Sequence, residues 1–573
     1  LVPNIFPRYL ATKAKMLSAA RVLSRSGSSK SSVLISRNSR PSHPPSIPTI
    51  SWRSPFSTLD SPNAATEVPD FDDTFRAYGN KSTAELLRSY VVFQLCSFPI
   101  IVRNANQLYN MSSSLLPSSL VDGIIKRTFF AHFCGGETTS DLKPCINMLN
   151  ASGINGILDY AAENAPDESP NEEGYDSDDN QPARVYDYVG ERECDHHVEV
   201  FKQCITAVKD VTPRGFAALK LTALGNPILL ERLSVAIIET RKLFEDFDRN
   251  GDGVVSVEEF GEAYREIFVD AEEKLPGLLA RLDPKGTGQV DYVEWSKLLQ
   301  PDDLPRLVAS CREEGPLSKA TPTPKELELM KAMKNRLWEI ANLAQELNVR
   351  LLIDAEQTYY QPAIDNYVIE LQKEFNSKSC LKNPDVPIIF NTYQCYLRDS
   401  TSRVRLDLLR ASRSNYIFAA KLVRGAYMLA ERDRSEKMSY PDPIHPTASA
   451  THECYNSCVN LLLEDRVLNS TKNEIMIASH NRESVELAIS KVQELGIDQK
   501  SGALHFAQLL GMRDDLSFSL GAAGFNVYKY VPYGKVKEVM PYLIRRAQEN
   551  SDITKGMGEE LKGIAGELKR RFF

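Results

Sequence analysis

Along this chain, short apolar runs that end on a polar residue alternate with longer stretches whose apolar positions recur at helical spacing. The clearest run is 349–354, Val-Arg-Leu-Leu-Ile-Asp, five apolar or stem-burying positions leading into Asp354 and Glu356 with no polar alternation before them. A strand buried on both faces of a parallel sheet reads this way when it ends at a functional rim. The segment after it, 362–375, opens with proline and repeats apolar residues at helical spacing, so the local unit is strand, loop, helix. Similar strand runs occupy 153–160, 215–222, 387–394, 416–425, 474–480, 503–508 and 525–532. Helical patterns at 198–209, 397–412, 452–465, 483–495, 514–520 and 536–549 punctuate them.

Eight such units predict an α/β fold of the (βα)8 TIM-like barrel type. An open doubly wound sheet usually stops near six strands and carries a GxGxxG phosphate loop, which this chain lacks. Closure would place the strand ends around one mouth: Lys220, Asp354, Gln394, Lys421 to Arg424, His480, Gln508 and Tyr530. Lys220 interrupts apolar neighbours at its strand end, where an anionic partner is expected. In the last helical pattern, Arg545 and Arg546 point about 100° apart. They can clamp one carboxylate only if that helix lies across the mouth.

A different module interrupts the barrel between its second and third strands. Asp248, Asn250 and Asp252 stand at loop positions one, three and five, with Gly253 at six, the Val254 carbonyl at seven, Ser256 at nine and Glu259 at twelve. That is the oxygen set of an EF-hand calcium loop, flanked by helical patterns at 231–247 and 260–268. The frame returns at 283–294 with Asp283, Thr287, Gln289, Asp291 and Glu294, but Lys285 fills the third position with charge of the wrong sign. The second loop is therefore expected to bind metal weakly and to pair Val290 with Val255. The domain reading is a leader over 1–60, an N-terminal helical arm over 61–150 whose first 20 residues are linker, and the first part of the barrel over 151–232. An all-α EF-hand pair over 233–300, a linker over 301–324, the barrel remainder with its final helix over 325–550 and a tail over 551–573 complete it. Within the first barrel part, 166–182 is acidic and nearly free of apolar residues, as a disordered surface loop would be.

Composition changes this picture at the N-terminus. The first 60 residues hold nine Lys or Arg against one acidic residue, Asp60, and are rich in serine. This is the make-up of a mitochondrial import leader, with Met16 a candidate first residue. The rest of the chain holds 59 basic and 75 acidic residues, a balance of −16 that disfavours nucleic acid as a partner. Ten cysteines without a CxxC in a chain this long argue against a disulfide scaffold. The apolar run 90–102 is too short to span hydrocarbon and contains a proline, so it is read as a buried helix or a surface leaning on a membrane.

The motifs LLIDAEQTYYQPAID (351–365), NTYQCYL (391–397), AAKLVRGAYM (419–428), IASHN (477–481) and YLIRRAQEN (542–550) together resemble the proline dehydrogenase family. Those mitochondrial flavoenzymes carry FAD at the strand ends of a distorted (βα)8 barrel. The resemblance covers about 81–162, 196–232 and 325–550. It implies that Arg545 and Arg546 hold the carboxylate of L-proline, with Lys220 reaching it and Asp354 orienting the ion-pair network and holding an arginine. Glu549 and Tyr542 would form the next layer, and Leu509 and Tyr530 would pack on the substrate ring. Gln394, Lys421, Arg424, Gly425, Thr451 and His480 match flavin-contacting positions, although family members often carry arginine where Lys421 stands. Noncovalent FAD, ubiquinone as electron acceptor, peripheral association with the matrix side of the inner mitochondrial membrane and possible modulation by Ca²⁺ follow as expectations.

The chemistry agrees with that inventory: oxidising a secondary amine to an imine needs a two-electron acceptor that side chains do not supply. A Schiff-base aldolase using Lys220 would leave the paired arginines without a purpose. A calcium sensor on a barrel scaffold would have no use for polar residues at most strand ends. A hydroxyproline dehydrogenase is disfavoured by Tyr530, where relatives of that specificity tend to carry a smaller polar residue.

Overall fold

The computed structural model describes residues 68–161, 190–212, 214–250, 254–297, 301, 303–377, 379–381, 385–552 and 554–572. The basic leader, the acidic stretch 166–182 and Asp252 lie outside the described residues. Ten strands occur in chain order: β1 (Ile154–Tyr160), β2 (Phe216–Leu219), β3 (Val255–Ser256), β4 (Gln289–Val290), β5 (Arg350–Ile353), β6 (Ile389–Gln394), β7 (Ala419–Val423), β8 (Glu474–Ala478), β9 (Leu504–Leu509) and β10 (Val527–Tyr533). All but β3 and β4 form one closed parallel barrel in the order β1, β2, β5, β6, β7, β8, β9, β10. Each of the eight strand runs read from the sequence contributes one barrel strand.

Because side chains alternate along a strand, the barrel interior is built in layers. At its base Phe216, Phe390, His505 and Tyr528 meet edge to face, with Phe216 5.1 Å from both Phe390 and Tyr528 between ring centres. Beside them the Glu474 carboxylate pairs with Arg350 at 3.3 Å and is hydrogen-bonded to His505 at 3.0 Å, closing the base. Above lie Ile157, Ala218, Leu352, Ala419, Met476 and Ala507. The next inward positions carry the chemistry: Asp159, Lys220, Asp354, Lys421, Leu509 and Tyr530. Gln508 has the opposite parity, and this corrects its expected place at the mouth. Its amide nitrogen donates to the Ser479 carbonyl and its oxygen accepts from Ser517, so it ties β9 to its flanking helix.

The N-terminal arm comprises α1 (Thr83–Cys96), α2 (Pro99–Arg103), α3 (Ala105–Leu115) and α4 (Ser118–Ile125). Ser82 caps α1 through a reciprocal pair with Glu85, as its position before the helical pattern predicts. Residues 68–80, expected as linker, are instead packed: Phe71 is buried, and a helix over Thr74–Tyr78 buries Ala77 and Tyr78.

The inserted lobe consists of α5 (Pro227–Phe247), α6 (Val257–Ile267), α7 (Ala271–Leu282) and α8 (Tyr292–Ser296), joined by the antiparallel pairing of Val255 with Val290. It has its own core of Phe247, Phe260, Phe268, Leu282, Val290 and Trp295. The expected linker 301–324 contains two short packed helices, Leu304–Ala309 and Pro316–Ala320. The barrel then continues through α9 (Gln361–Phe375), α10 (Ser400–Ser414), α11 (Ala448–Leu468), α12 (Arg482–Glu494), α13 (Asp514–Ala522) and α14 (Met540–Asp552).

The C-terminal residues read as a tail form a further helix, α15 (Thr554–Phe572). Its Glu560 carboxylate accepts from the backbone N–H of Arg513 and Asp514 and so caps α13, while Arg571 donates to the Tyr78 and Lys81 carbonyls. Underneath, the buried Asp514 carboxylate is shared by Lys81, from the residues preceding α1, and by Lys529 of β10 at 2.8 Å. The two lysines hold this carboxyl far below the usual carboxylate range against the opposing effect of burial. One anion thus ties the arm to the barrel. Replacing Asp514 with Ala would leave two buried cations unmatched and is expected to cost ~3–5 kcal/mol in urea unfolding, far more than a surface ion pair.

Candidate active site

The inward parity of eight strands brings together residues that lie up to 370 positions apart, at the end of the barrel from which α14 departs. Asp354, just past β5, is the hub. One carboxylate oxygen pairs with the ammonium of Lys421 on β7, and the other accepts from the Tyr530 hydroxyl on β10 at 3.1 Å. The cation that Asp354 holds is therefore a lysine, which corrects the expectation of an arginine. The physical cause is reach, because β5 and β7 flank β6 and their inward side chains converge. The Lys421 ammonium also lies 5.9 Å from the Tyr530 ring centre.

Lys220 is buried where β2 passes into a 3-10 turn, Leu221–Leu224. Beside that turn stands Glu356, to which the sequence reading assigned no role. Its two oxygens accept from the Thr222 backbone N–H at 3.1 Å and the Thr222 hydroxyl at 2.6 Å. Burial pushes its carboxyl up to about 7, against the pull of the Thr222 hydrogen bonds and the Lys220 charge. Gln394 at the end of β6 donates to the Glu356 carbonyl at 2.7 Å. Asp159 was also passed over, although the parity set by Ile157 marks it.

α14 packs between α1, α2 and the mouth: Tyr542, Leu543 and Ala547 share one apolar cluster with Val92, Phe93 and Val102, and Leu509 joins it. Arg546 is 2% exposed, holds Glu549 bidentately at 2.6 and 2.7 Å, and lies over the Tyr542 ring at 5.1 Å. Arg545 is half-buried. The buried Tyr542 hydroxyl has no hydrogen-bond partner. His480, just past β8, accepts from the Leu509 N–H at its Nε2, 3.1 Å away, which leaves the ring proton on Nδ1. Burial, then the charges of Lys529, Arg513, Arg546 and Arg424, hold this imidazole well below its ordinary value, so it is neutral.

The fit of a dinucleotide cofactor rests on Arg424. Its guanidinium reaches His452 Nδ1 at 2.8 Å, the Ser479 hydroxyl at 2.6 Å and the Ser484 hydroxyl at 2.9 Å, and lies over the Tyr455 ring at 4.5 Å. All of these partners are neutral, and among the described residues no carboxylate pairs with it. His452 lies in the first turns of α11 and Ser484 in the first turn of α12, so the guanidinium stands beside two helix N-termini, where a phosphate group is favoured. Gly425 follows with φ +133°, and a Cβ there would lie 2.6 Å from the Tyr396 ring. Thr451 is in the same first turns of α11 but gives its hydroxyl to the Thr447 carbonyl at 3.4 Å. The donor set around Arg424 fits the pyrophosphate of FAD, and the inward Lys421 and Gln394 fit its ring end.

Among the described residues no cluster of three His, Cys, Asp or Glu stands ready for a metal. In the first loop, Glu259 accepts from the Ser256 N–H and hydroxyl as the cap of α6. Asp248, Asn250 and Val254 are described there, Asp252 is not. In the second loop, Asp283 accepts from the Thr287 N–H and hydroxyl and from the Gly288 N–H. Arg413 of α10 pairs with Asp291 at 2.7 Å, and Lys297 holds Glu294 at 2.7 Å. Gln289 lies on β4. Two of that loop's three acids, Asp291 and Glu294, are thus paired with the protein's own cations, beyond the misplaced Lys285.

Comparison with known proteins agrees with this geometry. The proline dehydrogenase family model matches residues 231–559. Human "Proline dehydrogenase 1, mitochondrial" is 36% identical over 548 residues, covering 88% of this chain and 89% of that protein. The Drosophila melanogaster protein of the same name is 36% identical over 561 residues, 87% and 80%. Hydroxyproline dehydrogenase of Xenopus laevis is 31% identical over 493 residues, 86% and 88%. Among solved structures, proline utilization A from Bdellovibrio bacteriovorus, inactivated by N-propargylglycine, is similar in fold with a TM-score of 0.50 at 17% identity, over 86% of this chain. The chain spans 41% of that longer protein.

The buried Glu356 carboxyl gives this site a pH signature. With its folded value raised from 4.5 to about 7, its contribution to stability is fully present below pH 4.5 and is lost as pH rises through about 7. Glu356→Gln cannot ionise. Its unfolding free energy relative to the parent is expected to improve by up to ~3 kcal/mol between pH 4.5 and pH 8, read by urea unfolding across that range. A pH-independent difference would refute the assignment.

Proposed function

The chain belongs to the proline dehydrogenase family and is a flavin-dependent oxidoreductase, and on that premise we propose that it oxidises L-proline to 1-pyrroline-5-carboxylate. The observation that carries this reading is α14, which seats Arg546 in the protein interior beside the mouth and Arg545 next to it. A planar guanidinium matches a carboxylate fork to fork, so Arg545 and Arg546 would hold the substrate carboxylate, with Lys220 adding charge from the far side of the barrel. Glu549 keeps the Arg546 fork oriented. Leu509 and Tyr530 would bound the ring, and Tyr542 would wall the pocket.

FAD, bound noncovalently, supplies the two-electron acceptor for the amine oxidation. The residues that would hold it are Arg424 and Gly425 with Thr451 at the pyrophosphate, and Gln394, Lys421 and His480 at the ring. Lys421, paired with Asp354, would stabilise negative charge on that side of the mouth. Fixing the substrate carboxylate while the apolar pocket excludes water aligns the C–H and the nitrogen for reaction, the orientation that accounts for much of such rate enhancements. No covalent nucleophile is needed, which leaves the Schiff-base alternative unsupported. The Tyr530 ring, anchored by its hydrogen bond to Asp354, takes up space that a ring hydroxyl would need and so favours proline over hydroxyproline.

The reading places the protein in the mitochondrion, which the mitochondrial names of the curated relatives support, and includes ubiquinone as electron acceptor at the matrix face of the inner membrane. It also includes calcium in the inserted lobe. The support there is the oxygen set of the first loop and the pairing of Val255 with Val290, which joins two helix-loop-helix units as in an EF-hand lobe. The matched acids of the second loop restrict this role to the first.

Anaerobic addition of L-proline is expected to bleach the flavin band near ~450 nm. Arg546→Met is expected to keep the flavin spectrum while KM for proline rises ~100-fold or more, the loss of a bidentate charged contact. A colourless preparation that flavin does not reconstitute, or an unchanged KM, would refute the assignment. For calcium, adding the ion to chelator-treated protein is expected to raise Tm and alter kcat/KM in the parent but not in Glu259→Gln. Turnover and Tm flat across the titration would remove the calcium role and leave the oxidoreductase reading intact.

A further inference from the structure

Residues 91–125 contain only two charged side chains, Arg103 and Asp122, in a chain that is 25% charged. Within this stretch α3 is turned inside out. It has no buried residue, and its partly covered face is Ala105, Tyr109, Ser112 and Ser113, while Leu108, Met111 and Leu115 stand exposed, Leu115 by 76%. A helix on the surface of a water-soluble protein turns its large apolar side chains the other way. The helices that pack on either side of α3 continue the exposed face with Ile100, Ile101, Leu116, Leu120 and Ile124. That is a larger exposed apolar surface than isolated residues on a soluble protein produce.

Three features identify what covers it. The one acid of the stretch, Asp122, is partly covered and accepts from the Tyr109 hydroxyl at 3.3 Å, so its carboxylate is hydrogen-bonded within the arm. Directly after α4 come two exposed cations, Lys126, which pairs with Glu137, and Arg127, which has no carboxylate partner among the described residues and is complementary to anionic phosphate head groups. Two exposed polar side chains of the arm bond to their own helices: Asn104 donates to the Ile100 carbonyl and Ser114 to the Met111 carbonyl, both at 2.8 Å, which lowers their cost of leaving water. No described helix is long and apolar enough to cross a membrane. In-plane seating is the remaining geometry, with apolar side chains at the acyl boundary and cations at the head groups.

We propose that α2, α3 and α4 form a docking surface for a phospholipid bilayer. This inference rests on the quinone and membrane part of the proposed function and gives it a location. Its consequence is positional, because α1 and α2 pack directly on α14, the helix of Arg545 and Arg546. The rim of the mouth thus stands beside the docking face, where a lipid-dissolved quinone would arrive without crossing water.

The test uses the full chain and a variant carrying Leu108→Asp, Met111→Asp and Leu115→Asp, co-sedimented with phosphatidylcholine vesicles with and without cardiolipin. The parent is expected to bind, more tightly with cardiolipin. The variant's partition is expected to fall ~10-fold or more, with proline oxidation to a water-soluble dye unchanged as the control for folding. Reduction of ubiquinone embedded in the vesicles should fall in parallel. Equal binding of parent and variant, or no binding of the parent, would overturn the inference. So would a lipid-free parent dimer that the variant dissolves, since a second copy would then be the occupant. Vesicle binding lost in the variant, with no quinone reduction by the parent, would support the docking surface and remove the quinone reading.

Discussion

Side chains alternate along a strand, and once eight parallel strands close on themselves that alternation decides which residues meet at the mouth. Every other feature of the site follows from it. The same parity that seats Phe216, Phe390 and Tyr528 at the base and Ala218, Leu352 and Met476 above them delivers Lys220, Asp354, Lys421 and Tyr530 to one opening. A slip of one residue in β2, β5 or β7 would exchange Lys220, Asp354 or Lys421 at the mouth for an apolar neighbour. The interior layers therefore secure the register on which the chemistry depends.

Charge is the second constraint, because most of these groups are taken out of water. Asp354 is shared between Lys421 and Tyr530, Arg546 is matched by Glu549, and Asp514 lies between Lys81 and Lys529. Arg424 departs from the pattern. It is held by a histidine nitrogen and two hydroxyls, partners that orient a guanidinium without neutralising it. Desolvation works against its charge. A positive group kept in place at that cost next to two helix N-termini is suited to an anion supplied from outside the chain.

The modules around the barrel follow from the same economy of burial. α14 has its apolar side covered by α1 and α2, and α15 caps α13 and reaches back to the residues before α1, so arm and C-terminus enclose the mouth side together. The inserted lobe carries its own aromatic core around Trp295, continues into the barrel core through Leu229, Leu230 and Leu233 of α5, and meets α10 through ion pairs such as Arg413 with Asp291.

What could be read from the sequence was what is encoded within a few residues. Apolar runs located all eight barrel strands, helical spacing located the arm and the helix of Arg545 and Arg546, and Ser82 marked the start of α1. Lys220, Asp354, Lys421 and Tyr530 were legible as inward strand ends because two-residue parity is a local property. The tertiary structure alone decided that Asp354 faces a lysine instead of an arginine, that Glu356 is buried against Thr222, and that the C-terminal residues pack as a helix. Those outcomes depend on distances between residues tens to hundreds of positions apart. A chain sets periodicity locally, but which charges become neighbours is settled only when the sheet closes and water leaves.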